Sequence, residues 1–152
     1  MPVSKLKDFL DENKIKYVVM SHSPAYAAQE VAAAAHVDAK ELAKTVMVKA
    51  NGKMVMIVLP ATHRVDLDQL QDCLKASKVE LATEDEFKNL FPGCAVGAMP
   101  PFGNLYGMDV VVADRLSEGS EIAFNAGSHT ELIKMAYSDF ERLVKPRVEH
   151  CT

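Results

Sequence analysis

The chain has 152 residues, of which 49% are hydrophobic and 25% are charged, the profile of a globular domain that can bury its own core. This length predicts one domain over residues 1–152 and excludes a large multidomain enzyme. The 17 Lys and Arg residues are outnumbered by 21 Asp and Glu residues, so the net charge of −4 argues against a protein that coats nucleic acid non-specifically.

Hydrophobic periodicity and turn signals predict alternating helices and strands in the first half of the chain. The helices are expected over residues 4–13, 27–35 and 65–74, and the strands over residues 17–20, 45–49, 54–59 and 79–81. Asn51-Gly52 tolerates the positive φ angles of a tight turn, which predicts that the strands on either side of it form a hairpin. Thr83 and Glu86 have capping-box spacing, which indicates a helix from there to Leu90.

Glycine and proline crowd residues 92–107 and predict a shaped loop there instead of a regular element. Ser138 and Glu141 again have capping-box spacing and predict the start of a final helix, while the tail after Pro146 is expected to be frayed. The other expected elements are strands over residues 109–113 and 121–125, and a segment over residues 130–136 that fits either a strand or a helix.

The order of these elements predicts the fold class. Strands and helices are interspersed along the chain, and the clearest strand pair is an antiparallel hairpin. This pattern favours an α+β fold with a mixed sheet over a doubly wound parallel sheet.

The cysteine and histidine positions bear on the compartment and on bound metals. Cys73, Cys94 and Cys151 show no CxxC spacing, and no HxxxH or HExxH pair occurs, so we expect no disulfide framework, no metal and no other cofactor. The N-terminal segment shows no signal-peptide pattern, and the apolar stretch 55–60 is too short to cross a bilayer. We therefore expect a cytoplasmic protein without a membrane partner.

Lys44 is the first candidate for chemistry because it lies just before an apolar strand. A lysine at a strand entry can pack its stem on apolar neighbours and hold a phosphate or a carbonyl oxygen with its ammonium group. The alternative is a solvated surface lysine, which the pattern alone favours.

The segment from Gly97 to Gly103 is the second candidate. Its glycines allow a ligand to approach the backbone, its prolines stiffen the loop, and its N–H groups could bind an oxyanion. A structural crossover loop is an equally good interpretation. Cys94, beside this loop, is more typical of a small apolar residue than of a nucleophile.

The segment Asn125-Ala126-Gly127-Ser128-His129-Thr130 is the third candidate, since small residues next to polar ones suit a pocket wall. His129 could donate or accept a proton near neutral pH, whereas Ser128 would need an adjacent base to act as a nucleophile. The alternative is a glycine turn capped by serine. His22, near the end of the first predicted strand, is a further candidate for binding.

These segments together resemble a known family. The chain contains Lys44-Thr45-Val46, then Gly97 with Pro101 four residues later, then Phe124 to His129, in that order. With these motifs the chain is similar to the YbaK/prolyl-tRNA synthetase editing-domain family over about residues 17–144. The resemblance implies a mixed β-sheet curled into a partly open barrel and flanked by helices, in an editing domain separate from any charging enzyme.

The resemblance also implies a function. Family members are aminoacyl-tRNA deacylases that hydrolyse the ester of a mischarged amino acid on a tRNA 3′ end, commonly on proline tRNA. Lys44 matches the key lysine of the family. The residues that match its substrate-binding segments are Thr45, Gly97, Pro101, Asn125, Gly127, Ser128 and His129, with His22 added as a candidate. No metal is implied, and the edited amino acid stays open among small ones such as Ala, Cys, Ser and Thr.

A mechanism follows for this expected activity. Water attacks the ester, and N–H groups of the Gly97 loop or of the Gly127 turn stabilise the charge that develops on the carbonyl oxygen. Lys44 is expected to be charged and to anchor the substrate, and the terminal ribose hydroxyl of the tRNA is expected to assist. The alternative function is a non-catalytic module that binds a tRNA 3′ end or a synthetase.

Two groups of basic residues form a hypothetical tRNA-binding face, which would offset the acidic net charge locally. They are Lys5, Lys7, Lys14 and Lys16 near one end of the chain, and Lys134, Arg142, Lys145 and Arg147 near the other.

Overall fold

The computed structural model describes residues 4–22, 38 and 40–152, and the helix predicted over residues 27–35 lies outside them. The described helices are α1 (Ser4–Glu12), α2 (Leu67–Leu74), α3 (Glu84–Phe87), α4 (Asp114–Ser117), α5 (Tyr137–Val144) and a 3₁₀ turn (Gly103–Tyr106). The described strands are β1 (Tyr17–Ser21), β2 (Leu42–Ala50), β3 (Lys53–Pro60), β4 (Val79–Leu81), β5 (Asp109–Ala113), β6 (Glu121–Asn125), β7 (Glu131–Ala136) and β8 (Arg147–Glu149).

These eight strands form one mixed sheet in the order β1-β7-β6-β2-β3-β5-β8, with β4 attached to β2. The pairs β1–β7, β6–β7, β2–β3 and β2–β4 are antiparallel, whereas β2–β6, β3–β5 and β5–β8 are parallel. The predicted α+β class and its mixed sheet are confirmed. Among the described strands, β1 and β8 end the sheet without pairing to each other, so the expected partly open barrel is also confirmed.

The hairpin of β2 and β3 is the centre of the sheet. Asn51 and Gly52 have φ angles of 52° and 82°, the positive values expected for its turn. Eight residue pairs continue from Ala50–Lys53 to Ala43–Pro60, so both strands are longer than predicted. The extra length of β2 has a tertiary cause, because Leu42 and Ala43 pair with β6.

The sheet buries both of its faces because successive side chains of a strand point to opposite sides. One face carries a core with three fully buried phenylalanines, among them Phe102, whose ring lies 5.4 Å from Phe140 and 5.5 Å from Phe124 between centroids. Helices α1 and α5 cover this face. The other face carries a second core, which is covered by Leu70 of α2 and by Cys151.

Three local predictions need correction. The capping box at Thr83 forms, since the Glu86 carboxylate accepts the Thr83 N–H at 2.8 Å, but the helix ends at Phe87 and not at Leu90. Pro92 disfavours a helical backbone conformation at the preceding residue, Phe91. The buried ring of Phe91 also directs the chain into the core.

The segment over residues 130–136, which fitted either strand or helix, is strand β7. The predicted capping box at Ser138 is wrong, because α5 begins one residue earlier and Ser138 lies inside it. The Tyr137 N–H donates to Ser120 O at 3.0 Å, so a distant carbonyl replaces the expected side-chain cap.

The predicted frayed tail is also wrong. Arg147–Glu149 forms β8, which pairs in parallel with β5, and Cys151 is fully buried in the second core. A free sheet edge and an apolar pocket order this segment, and neither is visible in its local sequence. In the ranges that the structure describes, no helix has the length and apolar character needed to cross a membrane.

Phe102→Ala tests the importance of the first core. We expect it to lower the free energy of unfolding by about 3–5 kcal/mol, since it removes a fully buried ring and leaves a cavity. Urea denaturation followed by circular dichroism measures this loss. Leu90→Ala is the control, because an exposed side chain away from such features changes stability by about 0.5 kcal/mol or less. A loss for Phe102→Ala no larger than that of the control would contradict this account of the core.

Candidate functional site

The loop before Pro100 and the turn after β6 are joined by two backbone hydrogen bonds. The Ala95 N–H donates to Gly127 O at 2.7 Å, and the Gly127 N–H donates to Ala98 O at 2.9 Å. Gly127 has a φ of 101° and Gly97 a φ of 83°, conformations that favour glycine. The two segments lie about thirty positions apart and were separate candidates in the sequence. These bonds join them side by side, and we call this arrangement the junction.

His129 extends this junction with its side chain. Its Nε2 lies 2.9 Å from Val96 O, which fixes the ring beside the loop. A Cβ added to Gly97 would lie 3.5 Å from Cε1 of the same ring, an ordinary van der Waals contact, so the loop backbone passes directly beside the imidazole. The structure thus brings Gly97, Gly127 and His129 together.

Thr45 and Pro101 connect the junction to the rest of the molecule. The Thr45 Oγ1 donates to Met99 O at 3.3 Å, which ties β2 to the loop. Pro101 is buried, and the ring of Phe102 that follows it is fixed in the first core. The loop is consequently anchored at its start by Gly127 and at its end by the core.

Lys44 precedes Thr45, the residue that contacts the loop, and its side chain is on the opposite face of β2. The parallel pairing of β2 and β6 ends at Ala43 and Phe124, so the next residues along the two strands are Lys44 and Asn125. No contact within the described residues joins the Lys44 ammonium directly to the Gly97 loop. Burial lowers the pKa of Lys44 below its ordinary value, and the nearby Arg64 charge lowers it further.

Asn125 and His22 mark the border of the site. The Asn125 Oδ1 is buried and has no hydrogen-bond partner among the described residues, which leaves it as an acceptor for a ligand. The backbone N–H of His22 donates to the backbone carbonyl of Thr130 at 2.8 Å, so His22 lies beside the end of the third motif. Ser128 contacts Thr130 through their hydroxyl oxygens, 3.3 Å apart.

The hydrogen bonding narrows the choice of N–H groups that could stabilise an oxyanion. The Gly127 N–H donates to Ala98 O, so it is not available to stabilise an oxyanion. The Gly97 N–H is directed at Met99 Sδ, 3.2 Å away. Because a thioether is a weak acceptor, a ligand oxygen can readily capture the Gly97 N–H.

The thiol next to the loop has no activating surroundings. Burial raises the pKa of Cys94, and its Sγ lies 3.8 Å from the Tyr106 hydroxyl. A raised pKa keeps the thiol protonated at neutral pH, which does not suit a nucleophile. Among the described residues, no three His, Cys, Asp or Glu side chains are grouped so that they could hold a metal ion.

Sequence reasoning missed two contributors, Arg64 and Met99. Arg64 follows the end of β3, and only its position beside Lys44 in space reveals it. Met99 supplies a carbonyl to Thr45 and a sulfur to the Gly97 N–H. A Met between two buried positions carries no sequence signal for such a role.

The two basic groups proposed as one face differ in their partners. Lys134 pairs with Glu121 at 3.4 Å, and Arg142 pairs with Asp139 at 3.2 Å. Arg147 likewise pairs with Glu149, so the second group is largely neutralised. In the first group, the Lys5 ammonium lies 4.9 Å from the centroid of the Tyr106 ring, and Lys7, Lys14 and Lys16 are exposed.

Three comparisons with known proteins bear on this site. A family model described as "Aminoacyl-tRNA editing domain" matches residues 22–143. The prolyl-tRNA editing protein ProX of Acetoanaerobium sticklandii is 28% identical over 142 residues, which cover 90% of this chain and 86% of that protein. The multifunctional Ser/Thr-tRNA deacylase ProXp-y of Escherichia coli K12 is 34% identical over 104 residues, 66% of this chain and 62% of that protein.

A solved structure, described as a candidate trans-editing enzyme for prolyl-tRNA synthetase, has the same fold. It superposes with a TM-score of 0.83 at 18% identity and covers 97% of this chain and 94% of its own.

Gly97→Ala tests the close approach of the loop to His129. We expect it to destabilise the protein by about 1 kcal/mol because of its positive φ, and to shift the His129 Cε1–H resonance in NMR spectra because the new methyl group contacts the ring. Gly107→Ala is a matched control, since Gly107 also has a positive φ of 71° but a Cβ there meets nothing within 4 Å. Equal His129 shifts in both variants would contradict the contact.

Proposed function

Because the chain belongs to the aminoacyl-tRNA editing domain family, we propose that it is a trans-acting deacylase that hydrolyses mischarged tRNA. Its substrate is the ester between a small amino acid and the 3′ end of a tRNA, with tRNA-Pro as the expected carrier. The relatives named for prolyl-tRNA editing and for Ser/Thr-tRNA deacylation support this choice. We propose that residues 1–152 act as one editing domain, in the cytoplasm, where charged tRNA is used.

The observation that carries the proposal is the junction between the Gly97 loop and the Gly127 turn, which contacts β2 at Thr45, the residue after Lys44. The junction includes a backbone N–H with a weak acceptor and a fixed imidazole, and Asn125, two residues before Gly127, has a buried amide oxygen without a partner among the described residues. A polar group of this kind, left without a partner, is expected where a ligand completes the hydrogen bonding. The end of a charged tRNA supplies an acceptor, the ester carbonyl oxygen, and donors, the amino group of the amino acid and the free ribose hydroxyl.

The proposed reaction is the attack of water on the ester carbonyl carbon. The bond from that carbon to the ribose oxygen breaks, and the ribose oxygen takes a proton, so that the products are the free amino acid and the uncharged tRNA. The Gly97 N–H stabilises the negative charge that develops on the carbonyl oxygen. The vicinal ribose hydroxyl of the substrate lies next to the attacked carbon and assists the proton transfer.

Lys44 acts in this scheme as a positive charge that anchors the substrate. Burial of the side chain strengthens its electrostatic effect, because fewer water molecules screen it. The Asn125 Oδ1 accepts a hydrogen bond from the amino group or the ribose of the substrate. Thr45, Pro101, Ser128 and His22 shape the site and hold its backbone, and no cofactor takes part.

The proposed partner is the 3′ end of a mischarged tRNA, and an aminoacyl-tRNA synthetase is a further proposed partner. The likeness to a structure described as a candidate trans-editing enzyme for prolyl-tRNA synthetase supports the latter. Since three of the four cations of the second basic group are paired, we propose that contact with the body of the tRNA falls mainly to the exposed lysines near α1.

Lys44→Ala tests the proposed role of the ammonium group. We expect kcat/KM for at least one mischarged tRNA to fall by about 10- to 100-fold, the usual effect of losing a charged hydrogen bond to the substrate. Release of radiolabelled amino acid from a panel of mischarged tRNAs measures the rate. Lys53→Ala is the control, because Lys53 is exposed, pairs with Asp109 at 2.8 Å and lies at the far end of the hairpin.

The pH dependence gives a second readout of Lys44. The ammonium form exists below the pKa, and burial lowers that pKa, so enzymatic hydrolysis should decline at an alkaline pH below the ordinary lysine value of 10.5. Spontaneous ester hydrolysis is subtracted at each pH. Full activity of Lys44→Ala would refute the role of Lys44, and a wild type inactive on every mischarged tRNA would favour the non-catalytic binding module.

Ser128→Ala and Cys94→Ala test for a covalent intermediate. We expect both variants to keep most of their activity, because water attacks the ester directly and the Cys94 thiol stays protonated. Steady-state rates on the best mischarged tRNA measure this. An acyl adduct found on either side chain by mass spectrometry of the quenched enzyme would overturn the direct mechanism.

A further inference from the structure

A second cation, Arg64, lies beside Lys44. The Ala61 N–H donates to Leu42 O at 2.8 Å, and the His63 N–H donates to Pro60 O at 2.9 Å. These bonds turn the chain after β3 and keep it next to the start of β2. Arg64 follows this turn and lies close enough for its positive charge to act on Lys44.

Lys44 and Arg64 have no counter-ion in the described part of the chain, where several other cations do form ion pairs. Two neighbouring like charges repel each other, and the repulsion is stronger where one of them is half-buried. Like charges kept close together without a counter-ion are typical of a functional site, because a ligand of opposite charge removes their repulsion.

The surroundings of Arg64 leave room for such a ligand. Its exposed side chain lines an open cavity of about 600 Å³ that includes Val65 and Thr152. Asp66 and Asp68 line the same cavity, but neither forms an ion pair with Arg64. The Asp66 carboxylate accepts the Gln69 N–H at 3.1 Å as the N-cap of α2, so it already has a structural role.

We infer that Arg64 binds the 5′-phosphate of the 3′-terminal nucleotide of the substrate, next to the ester held at Lys44. This inference rests on the proposed function. The phosphate closest to the ester belongs to the nucleotide that carries the ester, so a cation beside Lys44 is placed to meet it. A guanidinium group suits this task, since its parallel N–H groups can bind two phosphate oxygens at once. Arg64 is therefore a positioning residue that acts on the substrate away from the reacting bond.

The test compares two small substrates that differ only in this phosphate, the 2′(3′)-aminoacyl esters of adenosine and of adenosine 5′-monophosphate. For the wild type we expect a KM about 10- to 100-fold lower with the phosphate, the usual range for a charged hydrogen bond. Arg64→Ala should abolish this preference and leave kcat unchanged, and Arg64→Lys should retain part of it. Equal KM values for both esters in the wild type would overturn the inference.

Full-length mischarged tRNA gives an independent measure. Arg64→Ala should raise KM and reduce the slope of log KM against log salt concentration by about one, the loss of one phosphate contact. Arg142→Ala is the matched control, because Arg142 is exposed and pairs with Asp139 on α5. An unchanged slope in Arg64→Ala, or an equal change in Arg142→Ala, would count against the phosphate contact. Equal melting temperatures of the variants exclude an effect through unfolding.

A binding measurement separates this inference from the proposed function. Adenosine 5′-monophosphate and adenosine are titrated into wild type and Arg64→Ala, and amide resonances report binding without any hydrolysis. We expect the wild type to bind adenosine 5′-monophosphate more tightly than adenosine, and Arg64→Ala to bind the two equally. If no ester is hydrolysed, the proposed function fails while this titration still decides the role of Arg64. Phosphate-independent binding to both proteins would overturn that role even in an active enzyme.

Discussion

Two backbone hydrogen bonds between the Gly97 loop and Gly127 are the constraint on which the candidate site depends. They bring together segments about thirty positions apart, and they let His129 reach the Val96 carbonyl. The positive φ angles of both glycines make the geometry possible, and the ring of Phe102 fixes the loop in the core. The same loop contacts β2 through the Thr45 hydroxyl and carries the Gly97 N–H, so the junction holds both of these groups beside His129.

Charge is distributed in a way that reconciles an acidic chain with an anionic substrate. The net charge is −4, and much of the positive charge on the sheet and on α5 is neutralised by ion pairs. Within the residues that the structure describes, Lys44 and Arg64 are neighbours without such partners. A local positive field at one site can therefore attract a phosphate-bearing ligand, while the acidic remainder of the surface disfavours non-specific contact with nucleic acid.

The fold was largely predictable where local signals agree with the tertiary structure. The Asn51-Gly52 turn, β5, β6 and the irregular loop match their predictions. The errors fall where distant groups replaced local ones. A carbonyl from Ser120 caps α5 in place of the Ser138 side chain, and pairing with β5 orders a tail that has no strong strand signal of its own.

The sequence by itself determined the family, the α+β class and the three motifs, because spacing and turn chemistry depend on residues a few positions apart. Only the tertiary structure decided which N–H groups remain available, because the Gly127 N–H is taken by a carbonyl from a distant loop. The same holds for Arg64, whose place beside Lys44 results from the turn after β3 and the pairing of β3 with β2. Hydrogen bonding and charge act through space, so their outcome is fixed only when the chain has folded.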